Sequence, residues 1–320
     1  MRAVVFEKYG PPEMLSLREI ETPVPRADGI LVRICTASVN PQDWHCLRGT
    51  PFLARLLVGG LLKPGHQILG TDFAGVVEAV GAEVTRFKPG DEVFAMNFKH
   101  GAFAEYIVFP ESKVIATKPA GLSFEEAAAV PMAGVMALMG LRDQAKVKVG
   151  DRVLINGASG GIGTYAVQIA KTMGANVTGV CSTRNLELVQ SLGAERVIDY
   201  TQEDFTQGEG CYDAIFDVVA KRSFAECQRA LMPKGIYVTT HFSPGLLLQS
   251  VWVAMTRGKR LKPMLQPPKP ADLTVLRELI EAGKVRSVID RRYPLAEVPD
   301  AIAYVEQGHA RGKVVIRVQA

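Results

Sequence analysis

The amino-acid sequence predicts an α/β protein in which a doubly wound parallel sheet is inserted into a β-rich domain. Three observations carry that expectation. Between about 122 and 284, helix-periodic stretches alternate with short apolar runs, the order that builds a parallel sheet covered on both faces. Residues 1 to about 121 hold β-type runs instead, such as Gly29 to Ala37 and Ala74 to Val80, broken by Gly, Pro and Asp. From about 285 the β character returns and ends in a strand, Lys313 to Val318. The expected pieces are therefore 1–121, 122–284 and 285–320, the last completing the domain that the first begins.

Ser123-Phe-Glu-Glu126 reads as a capping box ahead of an Ala-rich helix that Pro131 interrupts. Lys88-Pro-Gly90 and Lys148-Val-Gly150 each precede an Asp and an apolar run, and both read as turns entering strands. Val153, Leu154 and Ile155 are too short a run for a helix and form a buried strand. Gly157, Ser159, Gly160, Gly161 and Gly163 follow, with Ile162, Ala166, Ile169, Ala170 and Met173 at helical spacing and Gly174 as the stop. A strand, a glycine-rich turn and a helix N-terminus in that order make a phosphate site, because backbone can approach the ligand and the helix N–H groups attract the anion. The spacing is G-x-x-G-x-x-G, so context must support it. A second strand, Val177 to Cys181, follows as a dinucleotide-binding βαβ unit requires. The alternative is a tight turn packing a helix on a sheet. A helix near Asn185–Leu192 comes next, then strands at Val197–Asp199, Ala214–Val219 and Ile236–Thr240, and helices at Asp272–Glu281 and Asp300–Val305.

Composition excludes several classes. Lys plus Arg is 37 against 33 for Asp plus Glu, and the +4 balance has no long basic block, so neither nucleic acid nor an anionic membrane is indicated. The five cysteines are scattered without a CxxC pair, as in a reduced intracellular protein. The longest apolar run, Ala127 to Leu141, contains Pro131 and falls short of the roughly 20 residues of a membrane span. The N-terminus reads as a strand and turn rather than a targeting segment, which makes cytoplasmic the expected location.

Several motifs resemble the medium-chain dehydrogenase/reductase superfamily, in its zinc-independent quinone oxidoreductase branch. They are Gly75-Val-Val-Glu-Ala-Val-Gly81 with Gly90-Asp-Glu-Val93, Ser38-Val-Asn-Pro-Gln-Asp43, Val180-Cys-Ser-Thr-Arg-Asn185, Val197-Ile-Asp-Tyr200 and Gly308-His-Ala-Arg-Gly-Lys313. The resemblance covers the whole chain. It implies a GroES-like catalytic domain, a Rossmann domain, a cofactor in the cleft between them, and a homodimer. Asn40-Pro-Gln-Asp43 and Gly70-Thr-Asp72 stand where zinc-dependent relatives carry Cys and His ligands, so no metal is expected. His45 beside Cys46 is the one tempting pair, but adjacent side chains point apart. His66, His100 and His241 read as surface or loop residues.

NAD-specific domains usually place an acidic residue about 20 residues past the glycines. Here the second strand ends in Cys181-Ser-Thr-Arg184, whose Ser182, Thr183 and Arg184 suit the 2′-phosphate of NADPH. The alternative for Arg184 is the start of an exposed helix. The resemblance adds Tyr200 near the adenine, Val218 as a cofactor contact in the strand end Asp217-Val-Val219, and His309 and Arg311 reaching the cofactor from the C-terminal piece. It also places Asn40 beside the nicotinamide ribose. The bland reading of Asn40 is a turn residue before Pro41, and that of His309 and Arg311 a solvated turn. Trp44 is either a wall of the substrate cleft or a core residue. Met136 and Ala220 depart from the family, which usually has Thr and Gly there. The expected function is metal-independent hydride transfer from NADPH to a quinone or an α,β-unsaturated carbonyl. The alternatives are an enoyl-thioester reductase and a low-turnover NADPH-binding sensor or structural protein.

Overall fold

The structure is a computed structural model describing residues 1–52, 54–57, 59–241, 243–255 and 258–319. The chain opens with β1 (Arg2–Val5), β2 (Ser16–Glu19), β3 (Gly29–Val39), α1 (Pro41–Arg48), α2 (Ala54–Leu57), β4 (Asp72–Val80), β5 (Glu92–Met96), β6 (Tyr106–Pro110) and β7 (Ile115–Thr117). Next come α3 (Phe124–Ala128), α4 (Pro131–Met139), β8 (Arg152–Asn156), α5 (Gly161–Thr172), β9 (Asn176–Cys181), α6 (Leu186–Ser191) and β10 (Arg196–Asp199). β11 (Tyr212–Asp217), α7 (Phe224–Cys227), β12 (Leu231–Thr239), α8 (Pro244–Ala254) and β13 (Arg260–Pro263) follow. α9 (Pro270–Glu281), β14 (Ile289–Pro294), α10 (Val298–Glu306) and β15 (Lys313–Arg317) close the order.

Packing divides the chain into two units. One holds Met1–Met132, Lys269–Glu281 and Ser287 onward; the other holds Ala133–Pro268 and Ala282–Arg286. By this division α3 and α9, which the sequence reading put in the inserted piece, lie in the first unit.

In the first unit the strands run β14-β15-β3-β4-β5-β7. One edge of β3 is shared between two partners. Gly29–Arg33 pairs antiparallel with β6, and Thr36–Val39 pairs antiparallel with β15. Alternate residues Ile30, Val32 and Ile34 enter one core with Phe73, Phe109 and Val314. Each such side chain contributes roughly 1.5–3 kcal/mol by burial. The capping box at α3 is present: Ser123 Oγ accepts from Glu126 N–H at 3.2 Å, and Glu126 Oε2 accepts from Ser123 N–H at 2.9 Å. Pro131 takes the first position of α4, where no N–H is needed.

The second unit is a six-stranded, all-parallel sheet in the order β10-β9-β8-β11-β12-β13. Strand order reverses between β8 and β11, which places a ligand crevice at their C-terminal ends. Val153, Leu154 and Ile155 are all 0% exposed, since both faces of β8 are covered. The two anticipated turns are alike: Lys88 N–H donates to Asp91 Oδ2 at 3.0 Å, and Lys148 N–H to Asp151 Oδ2 at 2.8 Å. Three elements of this unit were not anticipated: α7, α8 and β13. α8 is apolar at nearly every position and so shows no 3.6-residue period, while β13 is four residues ending in proline. Among the described residues no helix is long and apolar enough to cross a membrane.

Candidate functional site

In the second unit β8 delivers the chain to Gly157, whose φ of +85° is the left-handed region. A Cβ there would stand 2.4 Å from Val219 Cγ2. At Gly163 a Cβ would lie 2.0 Å from the Gly157 carbonyl oxygen, so α5 packs against the turn with only hydrogen between them. Gly160 differs, since nothing comes nearer than 3.5 Å to its Cβ position. The first turn of α5 closes with Thr164 N–H on the Gly160 carbonyl at 2.9 Å. The N–H groups of Gly161, Ile162 and Gly163 precede that bond, the arrangement that receives an anion. Ser159, Gly160, Gly161 and Ile162 are half-buried around it.

The end of β9 lies beside this turn. Asn185, 4% exposed, donates through Nδ2 to Ser159 Oγ at 3.0 Å and to Ser182 Oγ at 3.2 Å, tying the glycine turn to the β9 end. Thr183 and Arg184 are exposed next to it. Thr183 Oγ1 donates to Asp199 Oδ2 at 2.5 Å, and Asp199 Oδ1 accepts from Thr201 Oγ1 at 2.8 Å. The Thr183 hydrogen bond, with those from Thr201, holds the Asp199 carboxyl below its ordinary range, so it is an anion. Sequence reading missed this carboxylate by looking only along β9. Parallel pairing of Cys181 with Asp199 brings it there from β10. Tyr200, 59% exposed, follows on the same edge.

Val218 is half-buried at the end of β11, its N–H on the Asn156 carbonyl at 3.2 Å. The turn after it is held by Asp217, which is 0% exposed. Its carboxylate accepts from Asn156 Nδ2 at 2.9 Å, Val219 N–H at 2.9 Å, Ala220 N–H at 2.8 Å and Tyr237 O–H at 2.7 Å. Burial, with the Asp217 charge beside it, pushes the Tyr237 phenol up, so it stays a donor. Ala220 has a φ of +53°, which explains why glycine suits that position. Gly157 to Gly163, Ser182 to Arg184, Tyr200 and Val218 therefore all follow the C-terminal ends of neighbouring strands.

In the first unit Asn40 precedes α1 and is 3% exposed. Its Nδ2 donates to Thr71 Oγ1 at 2.8 Å and Asp72 Oδ2 at 3.0 Å, and its Oδ1 accepts from Lys313 Nζ at 2.6 Å. Lys313, also 3% exposed, reaches Asp72 Oδ2 at 3.3 Å. Ser38 Oγ and Met132 N–H each donate to Asp72 at 3.0 Å. Burial raises the Asp72 carboxyl above its ordinary range, against the pull of Lys313 and the three hydrogen bonds. Sequence reading missed Lys313, which carries the only ammonium recorded in this network.

These residues do not fit zinc. They supply an amide, hydroxyls and one carboxylate, and a dication among them would meet the Lys313 ammonium. Trp44 is half-buried with its ring centroid 3.6 Å from that of His45, whose Nδ1 lies 2.8 Å from the Thr50 carbonyl. Burial pushes the Cys46 thiol up to about 12, far from a thiolate ligand. His100 is a loop residue, one of the two places expected for it, but it is not at the surface. It is 3% exposed, with Nδ1 3.6 Å from Asp43 Oδ1. His309 and Arg311 are exposed before β15, and Arg311 N–H donates to Asp290 Oδ2 at 2.9 Å.

Residues 26–120 match the alcohol dehydrogenase GroES-like domain, and residues 192–316 match the zinc-binding dehydrogenase family. A Spinacia oleracea protein described as a chloroplastic quinone-oxidoreductase homolog is 34% identical across 99% of this chain and 98% of its own length. The quinone oxidoreductase from Coxiella burnetii superposes with a TM-score of 0.90 at 34% identity, covering 100% of this chain and 99% of that one. The Escherichia coli quinone oxidoreductase complexed with NADPH gives a TM-score of 0.83 at 25% identity, covering 99% of this chain and 100% of that one. With a GroES-like first unit and a Rossmann second unit, this chain belongs to the medium-chain dehydrogenase/reductase superfamily, in its quinone-oxidoreductase-like branch.

Proposed function

We propose that this chain is an oxidoreductase that binds NADPH and passes hydride to a quinone or an α,β-unsaturated carbonyl compound. The observation that carries the cofactor reading is the joined platform of Ser159 and Ser182, held by Asn185 beside Arg184 at the open side of the glycine turn. Both serine oxygens accept from Asn185, which leaves each hydroxyl proton to be donated to an acceptor such as phosphate. In this reading the start of α5 holds the pyrophosphate, Ser182, Thr183 and Arg184 hold the 2′-phosphate, and Tyr200 lies along the adenine. Val218, His309 and Arg311 are further cofactor contacts. The bound cofactor supplies the hydride. Asn40 and Trp44 belong to the nicotinamide end, Trp44 as a wall. Asn40 can donate to ribose or substrate only by releasing Thr71 or Asp72, and Lys313 keeps its amide oxygen fixed meanwhile. The Coxiella burnetii and Escherichia coli relatives, by their descriptions, support quinone as substrate and NADPH as donor.

A second reading, NADH, is favoured by one observation: the Asp199 carboxylate 2.5 Å from Thr183 Oγ1. An anion there works against a 2′-phosphate and suits a ribose diol. Titrating wild type, Arg184→Ala and Asp199→Asn with each cofactor separates the two. A charge-assisted contact contributes about 1.5–3 kcal/mol, so Arg184→Ala weakens NADPH about tenfold to a hundredfold and leaves NADH nearly unchanged. Wild type preferring NADH, with that preference lost in Asp199→Asn, establishes the second reading. NADPH consumption across quinones, enones and enoyl-CoA tests the reaction, and no turnover with any of them refutes it.

A further inference from the structure

Three neighbouring strands of the second unit end in a buried polar residue. Asn156, Asp217 and Thr239 stand in register at the C-terminal ends of β8, β11 and β12. The residues before the first two, Val153 to Ile155 and Ala214 to Phe216, are apolar, so the polar row is confined to the end from which the turns leave. In-register residues of a parallel sheet share one face, and Tyr237, two residues before Thr239, shares it too. Burying such a row costs stability unless its members are bonded, and one network bonds them all.

Asp217 is the hub. Its Oδ1 takes Asn156 Nδ2 from β8 and the N–H groups of Val219 and Ala220 from its own turn. Among the described residues Oδ2 takes one donor, the Tyr237 O–H from β12. Tyr237 is bonded in turn by Thr239, whose Oγ1 accepts from His241 N–H at 3.1 Å. The network therefore reaches the three turns that leave these strands: Gly157 follows Asn156, Val218 follows Asp217, and His241 lies just past Thr239.

Two features of the 218–220 turn show what Asp217 holds. Ala220 keeps a left-handed backbone, which an L side chain disfavours, and its N–H is one of the two that Asp217 fixes. Strain of this kind persists only where surrounding bonds enforce it. Val218 and Val219 lean over the glycine turn, since a Cβ on Gly157 would stand 2.9 Å from Val218 Cγ2 and 2.4 Å from Val219 Cγ2. Were the carboxylate to let go, Ala220 would relax and carry both valines across the glycine turn.

On the cofactor reading proposed above, we infer that Asp217 is a positioning residue for the dinucleotide, acting through Val218, Val219 and Ala220, with Tyr237 and Asn156 keeping it in place. Asp217 is wholly buried and acts only through its turn. The network keeps that turn in the conformation the dinucleotide meets, so binding need not select it from several. Without the network, apparent affinity falls by the fraction of molecules that hold the competent turn.

The test titrates wild type, Tyr237→Phe, Ala220→Gly and their double variant with NADPH and with NADH, and unfolds each in urea. Tyr237→Phe keeps the ring and strands Oδ2. A hydrogen bond to a charged group corresponds to about tenfold or more in an equilibrium constant, so the dinucleotide that wild type prefers should bind Tyr237→Phe about tenfold more weakly. Exchange of the Val219 and Ala220 amide hydrogens should quicken alongside. Ala220→Gly removes the left-handed penalty, so it should strengthen binding about fivefold in Tyr237→Phe and by less in wild type, where the turn is already held. Asn156→Ala withdraws the donor on the other side of Asp217 and should weaken binding in the same way, so a folding defect in one variant leaves the other to decide. A merely structural network would lower the urea midpoint and leave the affinity of the folded protein untouched. Wild-type affinity in the folded variants, unchanged amide exchange, or an equal gain from Ala220→Gly in both backgrounds overturns the inference and leaves the cofactor reading standing. Wild type that binds neither dinucleotide refutes both together.

Discussion

Lys313→Met removes the ammonium that faces a carboxylate with no solvent around it. Asp72 is 0% exposed and Lys313 is 3% exposed, with 3.3 Å between Nζ and Oδ2. Removing one partner of a buried pair typically costs 3–5 kcal/mol, because the charge left behind is uncompensated. Asp72 keeps donors from Ser38, Asn40 and Met132, so the expected loss is at the low end, about 3 kcal/mol. Asp72→Asn should cost a similar amount. The double variant should lose much less than the sum, since neither charge is then stranded. Urea unfolding followed by Trp44 in a Trp252→Phe background reads the first unit, because Trp44 packs on its core. The pH dependence has a definite sign. Burial already raises the folded-state pKa of Asp72, and loss of Lys313 raises it further. The folded state then holds this proton above the unfolded value of about 3.9, so the variant loses stability as pH rises through the folded pKa. Its deficit against wild type is therefore smallest in acid. Additive losses, or a deficit that shrinks as pH rises, would refute the argument.

Gly163→Ala places a Cβ 2.0 Å from the Gly157 carbonyl oxygen, so α5 or the turn must move. Overpacking of that kind costs about 1–3 kcal/mol, and dinucleotide affinity should fall at least about tenfold. A folded variant that binds cofactor normally contradicts this placement of the site. Glu125 accepts from Arg317 Nε at 2.5 Å and Arg292 Nε at 2.6 Å. Burial would raise its carboxyl, but the two arginines outweigh that and hold it below the ordinary range. Its contribution is present above the unfolded value of about 4.3 and is lost as pH falls through the folded one. Glu125→Gln should lose about 1 kcal/mol or less at neutral pH, with the difference vanishing in acid melts. A constant difference at every pH would disprove the ionic origin.

Local chemistry made much of the fold legible. The β8 run, the glycine turn, the α3 cap and the Asp91 and Asp151 turns are each written in a few adjacent residues. What escaped depends on neighbours far away in sequence. Lys313 reads only as the start of the closing strand until β15 lies along β3 and brings it to Asn40. Asp199 enters the site through strand pairing, not through any spacing from the glycines. His100 is turned inward by a local knot, in which its N–H and carbonyl both bond Asn97, with a φ of +64° that pattern reading does not foresee.

The shared edge of β3 also imposes an order on synthesis. Thr36–Val39 waits for Val314–Arg317, so the first sheet stays open while more than two hundred further residues are made. The inserted unit is nearly continuous, from 133 to 268, and can close its own sheet first. Until β15 arrives, Asp72 has no Lys313 and β3 carries an unpaired edge, the state in which a nascent chain most needs protection from its neighbours. Losing the last strand would therefore damage the oldest part of the chain rather than the newest.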